Sequence, residues 1–216
     1  MKNFVSNLEN LISHERLNSY NNIQEHFYNL KFISTLTPNL ATLEISLRNI
    51  IDHELSKTNQ NWLFNFQNEN IQEKITKLQN KKQNLTSHQI LSRLNLGNII
   101  EIIKDQKIQN KILDLSHINF IDYSKSNRMF GYVNYKKIDF SNIDKVNIVL
   151  SLLQNIRNRS YHWENLLKTR INNNKEFPRL TTKYNSTNVG IDPNKIKLFL
   201  DDLIISINKD LKKYCD

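Results

Sequence analysis

The sequence predicts an all-α protein, a single helical domain over residues 1–216 that forms a bundle with extra helices and long loops. Apolar residues recur every three or four positions along most of the chain, which is the spacing of one helix face. Only three glycines and three prolines occur, which leaves few of the residues that turns between strands require. The expected core bundle comprises residues 22–57, 86–115, 141–167 and 193–213.

In the first half of the chain, the strongest boundary signal is Thr37 followed by Pro38. Proline is favoured at the first position of a helix, after a capping hydroxyl. A well-buried helix is therefore expected from Thr37 to about residue 57, preceded by a separate helix over residues 23–36. Weaker helices are expected over residues 4–12, 71–78, 87–94, 98–104 and 108–115, with Gly97 separating two of them.

In the second half, Ser141 with Asp144 three residues later indicates a capping box. The apolar stripe that follows runs to Ile156 at helical spacing and predicts a core helix. Residues 117–139 lose this periodicity, so we expect a long connection with one short element there. Residues 171–190 are expected to form a polar loop before a last helix, which starts at residues 192–193.

The charge balance favours a polyanionic partner. Thirty Lys and Arg against 21 Asp and Glu give a formal charge of +9, and basic surfaces bind nucleic acid through counterion release. A basic surface without a function fits the charge equally well. Cys215 has no intrachain partner, no stretch approaches a membrane span, and the N-terminus is too polar for a signal peptide. We therefore expect a cytoplasmic protein that does not associate with membranes.

Neither a metal site nor a cofactor site is expected. His14, His26 and His53 each have a glutamate neighbour, but none has the spacing of a zinc motif. The few scattered glycines do not form a phosphate-binding loop. The sequence therefore predicts no metal and no cofactor.

The end of the predicted core helix places Arg157, Asn158 and His162 within one and a half turns. Arginine presents a fixed fork of donors to phosphate oxygens, and histidine can take or give a proton near neutral pH. Both groups are needed to cut RNA without a metal ion. On a straight helix Arg157 is rotated by about 140° from His162, so convergence on one phosphate is easier across the two-fold axis of a homodimer. A homodimer is therefore predicted.

The same offsets of Arg, Asn and His occur again from Arg48 to His53. Arg48 has Glu44 four residues before it and Asp52 four residues after it, so its charge can be neutralised on its own helix. Arg157 has no acidic residue three or four positions away. We therefore interpret Arg48 as structural and Arg157 as free for a phosphate.

The segment from Ile156 to Leu166 resembles the signature of the HEPN domain (higher eukaryotes and prokaryotes nucleotide-binding), in which Arg, often followed by Asn, precedes a His. Together with residues 43–49 and 94–97, in that order and spacing, it resembles more narrowly the bacterial abortive-infection (Abi) proteins related to the Abi D and F systems. The resemblance extends over about residues 30–167. It implies a helical, usually dimeric bundle with a metal-independent endoribonuclease site, used in phage defence or as the toxin of a toxin–antitoxin pair.

The resemblance also implies roles for individual residues. Arg157 would bind and polarise the scissile phosphate, His162 would be the general acid or base, and Asn158 would orient the phosphate or the histidine. The supporting or RNA-binding residues would be Arg159, Tyr161 and Glu164. The 2′-hydroxyl of RNA would be the nucleophile, so RNA and not DNA would be the substrate, and an antitoxin or another regulatory protein would be a further partner.

An alternative function is a non-catalytic helical module that binds RNA or a partner protein. Many relatives carry His-His-Glu-Pro where this chain has His162-Trp163-Glu164-Asn165, and some HEPN proteins do not cut. Trp163 is interpreted as a buried anchor of the helix end rather than as a platform for a base. The segment 132–137 mixes Tyr and Lys as a single-strand RNA surface would, although an ordinary exposed loop explains it as well.

Overall fold

Helices and short hairpins share the chain, so the prediction of an all-α protein is wrong. The computed structural model describes residues 2–215, with side chains from residue 4 onward. Its α-helices, α1 to α10 in chain order, are Lys2–Val5, Leu8–Ile12, His14–Leu17, Ile23–Ser56, Glu69–Lys81, Ser87–Leu91, Leu96–Asp105, Gln109–Ile112, Asn142–Tyr161 and Ile196–Ile207. Its strands, β1 to β6, are Phe130–Val133, Lys136–Asp139, Thr169–Asn172, Lys175–Pro178, Thr181–Tyr184 and Thr187–Gly190.

The strands form three antiparallel hairpins, β1–β2, β3–β4 and β5–β6, each closed by a two-residue turn. Two-residue hairpin turns of the favoured type need positive φ at both central residues. Asparagine tolerates this backbone conformation better than most non-glycine residues. The turn residues and their φ angles are Asn134 (49°) and Tyr135 (62°), Asn173 (49°) and Asn174 (57°), and Asn185 (43°) and Ser186 (58°). Few glycines therefore did not mean few turns in this chain.

The hairpin β5–β6 lies on α9, within the segment predicted to be a polar loop. Ser151 and Thr182 share a hydroxyl–hydroxyl hydrogen bond of 2.8 Å. The hydroxyl of Tyr184 donates to Asp144 at 2.7 Å, at the start of the same helix. An isolated two-stranded hairpin is marginally stable at best. The segment therefore forms strands because it contacts α9, a helix that lies elsewhere in the sequence.

Helix α4 continues through Pro38, so the helix start predicted at Thr37 is wrong. An interior proline costs about 3 kcal/mol because it lacks an N–H and crowds the preceding turn. Ile33, Leu36 and Leu40 flank Pro38 and are at most 2% exposed. Burying each of these side chains contributes about 1.5–3 kcal/mol, which together exceeds the cost of the proline.

Helix α9 is the central helix of the fold, and the capping box predicted at its start is confirmed. Ser141 accepts a hydrogen bond from the Asp144 N–H at 3.3 Å, and the Ser141 N–H donates to the Asp144 carboxylate at 2.8 Å. The helix packs against α7, α8 and β5, while α4 packs against α7, α8 and α10. Seven of its apolar residues are at most 1% exposed: Val146, Ile148, Val149, Leu150, Leu152, Leu153 and Ile156. The opposite side of the helix carries a polar stripe of Asn147, Ser151, Gln154 and Asn158, which are spaced three or four residues apart and line cavities.

Two further predicted boundaries differ from the structure. The stripe expected over residues 4–12 is divided between α1 and α2, and Phe4, Leu8 and Leu11 are each more than half exposed. Gly97 does not separate two helices, because α7 begins at Leu96 and contains it. Within residues 2–215, no helix combines the length and the apolar character that crossing a membrane would require.

The ammonium of Lys145 joins α9 to the connection that follows α8. Its Nζ donates to the carbonyl oxygens of Leu115, Ser116 and Ile118 at 3.1, 2.9 and 2.9 Å. The side chain is buried, and burial lowers the pKa of Lys145. The Leu115 carbonyl also accepts the Ile118 N–H at 3.0 Å, so the carbonyl groups of Ser116 and Ile118 depend most on this ammonium.

We expect Lys145→Met to lower the free energy of unfolding by about 2–4 kcal/mol, because buried carbonyl groups lose their donor. Urea denaturation measures the change. Lys74→Met, at an exposed position of α5, is the matched control and should leave the stability unchanged. Equal losses in the two variants would contradict the role given to Lys145.

Candidate functional site

The C-terminal end of α9 is closed by a tight turn. The Trp163 N–H donates to the Ser160 carbonyl at 3.1 Å, and the Glu164 N–H donates to the Arg159 carbonyl at 2.9 Å. These are the two hydrogen bonds of a Schellman motif, with His162 as the C-cap residue. The His162 N–H still donates to the Asn158 carbonyl at 2.9 Å, as in a regular helix, so the chain leaves the helical path only after His162.

Arg157, Asn158 and His162 line one cavity of about 270 Å³. Gln154, one turn before Asn158, extends this wall because residues four apart share a helix face. The opposite wall is the start of α7, formed by Asn95, Leu96 and Gly97. The structure thus brings the three predicted catalytic residues together within one chain.

Gly97 allows α7 to approach α9 closely. A Cβ at this position would lie 2.8 Å from Gln154 Nε2 and 3.1 Å from Asn95 Oδ1. Asn95 caps the helix by accepting the Asn98 N–H at 3.0 Å. The first turn of a helix carries partial positive charge from its unpaired N–H groups, so the wall opposite His162 is polar and favourable to an anion.

Glu44 on α4 lies between two arginines. Its Oε1 accepts a hydrogen bond from Arg48 Nη2 at 3.1 Å, and its Oε2 accepts one from Arg157 Nε at 3.4 Å. The side chains of Glu44, Arg48 and Arg157 are 17%, 15% and 24% exposed. Arg157 thus has no acidic partner on its own helix, as the spacing indicated, but it pairs with a carboxylate from another helix.

The ion pair does not use the whole guanidinium of Arg157. In the described part of the chain, no protein atom accepts a hydrogen bond from its Nη1 or Nη2. Two arginines and one carboxylate also leave one positive charge in this group. Its terminal nitrogens therefore remain available to an anion in the cavity that Arg157 lines.

Three segments that are distant in sequence meet at this group. Arg48, in residues 43–49, donates to the Leu94 carbonyl at 3.1 Å and so holds residues 94–97, which begin α7. Glu44 holds Arg157 in the third segment, residues 156–162. These are the segments that carry the resemblance described above. The second and third segments line the cavity, and the first contacts both of them from outside it.

The predicted supporting residues contact one another or Arg157. The Arg157 guanidinium carbon lies 4.4 Å from the centroid of the Tyr161 ring, a cation–π distance that restricts its orientation. Arg159 Nη1 forms an ion pair with Glu164 at 3.0 Å, which closes the turn. Trp163 is 52% exposed, so its prediction as a buried anchor is wrong.

The turn that follows His162 is anchored to the N-terminal part of the chain. Arg16 Nη1 donates to the Trp163 carbonyl at 2.8 Å. The buried amide of Asn29 donates to the Glu164 carbonyl at 3.0 Å and accepts the Leu166 N–H at 2.9 Å. The backbone conformation around the site is therefore set from outside its own helix.

Sequence reasoning missed Glu44, Gln154 and Asn29 as parts of the site. Gln154 could have been found because it lies two helical turns before His162 on the same face. Asn29 could have been found because it is a polar residue on the buried stripe of α4. No local signal pairs Glu44 with Arg157, since 113 positions separate them.

The second Arg–Asn–His pattern is arranged differently. Asn49 and His53 line a separate cavity of about 500 Å³ together with His88, and Arg48 is not among its lining residues. Arg48 instead contacts Glu44 and the α6–α7 connection. Larger cavities therefore exist, but at the end of α9 all three residue types of the pattern line the same cavity.

Comparison with known proteins found no match to this chain among family models, curated proteins and solved structures. In residues 2–215, no group of three or more His, Cys, Asp or Glu side chains is arranged to hold a metal ion. The resemblance to HEPN and Abi proteins therefore stays an expectation.

Glu44→Gln should destabilise the fold by about 1–3 kcal/mol, because two partly buried guanidinium groups lose their counter-ion. Urea denaturation at low salt measures the loss, which should shrink as added salt screens the two positive charges. Glu73→Gln, in the exposed pair of Glu73 with Lys77, is the control and should leave the stability unchanged. An unaltered stability in Glu44→Gln would mean that the three-residue group does not hold the helices together.

The stability of the region that anchors the turn, around Arg16 and Asn29, should depend on pH because of His26. This ring is 4% exposed and packs edge-on against Tyr20, whose hydroxyl accepts a hydrogen bond from Asn29. Burial, and then the charge of Arg16, lower the pKa of His26 below the ordinary histidine value of about 6.5. Below about pH 6.5 the unfolded chain therefore binds a proton that the folded chain does not, and stability falls as pH falls.

His26→Phe should remove this part of the pH dependence while it keeps the ring contact with Tyr20. Thermal unfolding of both proteins between about pH 5 and pH 8 measures the difference. We expect the two stability profiles to run parallel above about pH 7 and the wild-type profile to fall more steeply below about pH 6.5. Parallel profiles over the whole range would contradict a buried neutral His26.

Proposed function

We propose that the chain is a metal-independent endoribonuclease that acts as an abortive-infection effector or as a toxin. The observation that carries the proposal is the shared cavity of Arg157, Asn158 and His162, opposite the polar start of α7. Phosphodiester cleavage requires a group that transfers a proton and a cation that binds the phosphate. The imidazole of His162 and the guanidinium of Arg157 supply these two groups on one wall of the cavity. The basic charge of +9 favours an RNA substrate.

The proposed reaction is an internal transfer at the scissile phosphate. The 2′-oxygen of the ribose forms a bond to phosphorus, the bond from phosphorus to the 5′-oxygen breaks, and a 2′,3′-cyclic phosphate and a 5′-hydroxyl result. One proton leaves the 2′-hydroxyl and one reaches the 5′-oxygen. His162 carries one of these transfers and solvent the other, while the Arg157 Nη groups stabilise the charge that develops on the phosphate.

Glu44 supports this role for Arg157. A guanidinium has donors on two edges, so Nε can bind Glu44 while Nη1 and Nη2 bind a phosphate. The ion pair and the ring of Tyr161 hold the side chain in one orientation before substrate binds. Such preorganisation reduces the entropy lost when the phosphate is bound.

Homodimer formation, regulation by an antitoxin or another protein, and a cytoplasmic location belong to the same proposal. Arg157 and His162 already line a common cavity within one chain. A second copy is therefore not needed to bring them together. In a dimer its contribution would be a longer RNA-binding surface.

A non-catalytic module that binds RNA or a partner protein is the second candidate. One observation favours it: Glu44 neutralises part of the charge of Arg157. The chain also has Trp163 and Asn165 where many relatives of the resembled family have His and Pro. In this case Arg157 would contribute to affinity alone, in a salt-dependent way.

Purified protein should cut single-stranded RNA in the presence of EDTA and leave cyclic-phosphate ends. His162→Ala should lower the cleavage rate by about 10²–10⁴-fold, the range that general acid–base groups contribute, without a change in thermal stability. The measurement is a time course on end-labelled RNA with analysis of the product ends.

His53→Ala is the matched control, because His53 has the same offset from an arginine but lines another cavity. Its cleavage rate should equal that of the wild type. Cutting that persists in His162→Ala would remove the catalytic assignment. RNA binding without any cleavage by the wild type, weakened by Arg157→Ala, would establish the non-catalytic module instead.

A further inference from the structure

Trp163 has a backbone conformation that is unfavourable for a tryptophan. Its φ is 56°, in the left-handed region, at the position after a helix C-cap where glycine is usual. Bulky side chains rarely adopt this conformation because Cβ lies too close to the neighbouring carbonyl oxygen. A glycine here would satisfy the same hydrogen bonds without strain.

Core packing does not explain the tryptophan. The chain has two tryptophans. Trp62 is 6% exposed and donates its indole N–H to Asp52 at 2.9 Å. Trp163 is 52% exposed, and its indole N–H has no protein acceptor in the described part of the chain. A large ring is therefore held in solvent by a strained residue, an arrangement found at binding sites.

The turn that presents the ring is rigidly held. The Trp163 carbonyl accepts a hydrogen bond from Arg16, and its N–H is bonded to Ser160. The next residue, Glu164, is fixed by Arg159 and by the buried Asn29. The indole is thus attached to a fixed backbone, which reduces the entropy lost when a ligand packs against it.

The surroundings of Trp163 favour a nucleobase as the ligand. His162 lines the candidate catalytic cavity, and the Cα atoms of consecutive residues lie about 3.8 Å apart. Tyr161 is 49% exposed and contacts the guanidinium of Arg157. Exposed aromatic rings beside cationic groups that bind a backbone are the usual means of holding single-stranded RNA.

We propose that Trp163 stacks on a base of single-stranded RNA next to the phosphate bound in the cavity of Arg157, Asn158 and His162. This inference rests on the proposed function, which it extends by a base subsite and by a requirement for unpaired RNA. Stacking tolerates any base because every base has a π-face. The subsite therefore selects strand conformation more than sequence.

The test compares Trp163→Gly with its parent, both carrying His162→Ala so that RNA is not cut. Anisotropy of a short labelled single-stranded RNA in EDTA should show a dissociation constant about tenfold higher for Trp163→Gly. The same RNA should quench tryptophan fluorescence in the parent and not in the variant, where only Trp62 remains. The melting temperature should not fall, since glycine relieves the left-handed strain. If Trp163 had a merely structural role, Trp163→Gly would instead lower the melting temperature and leave the affinity for RNA unchanged.

Tyr214→Ala in the same background is the matched control. Tyr214 is another exposed aromatic residue, 78% exposed, and lies outside the residues that line the site. Its affinity for the RNA should stay within about twofold of the parent. A strand with abasic positions should bind Trp163→Gly and the parent equally, because no base is present to stack.

Three results would overturn the inference. The first is equal RNA affinity of Trp163→Gly and its parent, and the second is an equal loss in Tyr214→Ala. The third is a halved molar mass of Trp163→Gly by light scattering, which would assign the ring to an interface with a second copy. Cleavage is measured separately on the chain with His162 intact, so a failure to cut would remove the ribonuclease proposal and leave the binding result for Trp163 valid.

Discussion

The carboxylate of Glu44 connects the parts of the candidate site. It binds Arg157 at the end of α9 and Arg48 on its own helix α4, and Arg48 in turn holds the carbonyl of Leu94 before α7. Charges that are largely shielded from water need partners, since an unpaired one carries a large desolvation cost. Only a guanidinium could serve here as Arg157 does, because a lysine ammonium offers a single nitrogen and cannot bind a protein carboxylate and a phosphate on separate edges.

The position of the site follows from the polar stripe of α9. Asn147, Ser151, Gln154 and Asn158 share one side of the helix, and the site lies where this stripe reaches the C-terminal end. The C-terminal end lies beside the start of α7, where Gly97 permits close approach and the first turn offers unpaired N–H groups. The cavity between the two helix ends thus combines a favourable electrostatic environment with Arg157 and His162. The cavity proposed for RNA cleavage and the base subsite proposed at Trp163 are adjacent parts of one surface.

Asparagine explains why the all-α prediction failed. The shortage of glycine suggested few tight turns, but Asn134, Asn173 and Asn185 each open a two-residue hairpin turn with positive φ. Asparagine also caps helices in this chain, for example Asn22 before α4 and Asn95 before α7. Its short amide side chain forms local hydrogen bonds in both settings. The same residue type therefore marks helix starts and hairpin turns, and its presence alone does not distinguish them.

The sequence by itself determined the features that depend on local spacing: the capping box at Ser141, the buried stripe of α9 and the grouping of Arg157, Asn158 and His162 at its end. Helical periodicity and side-chain capping act over a few residues, so they can be read from the chain. The tertiary structure alone decided the continuation of α4 through proline, the hairpins and the pairing of Glu44 with Arg157. Each of these depends on contacts between distant segments, whose free energies outweigh local preferences and leave no periodic signal in the sequence.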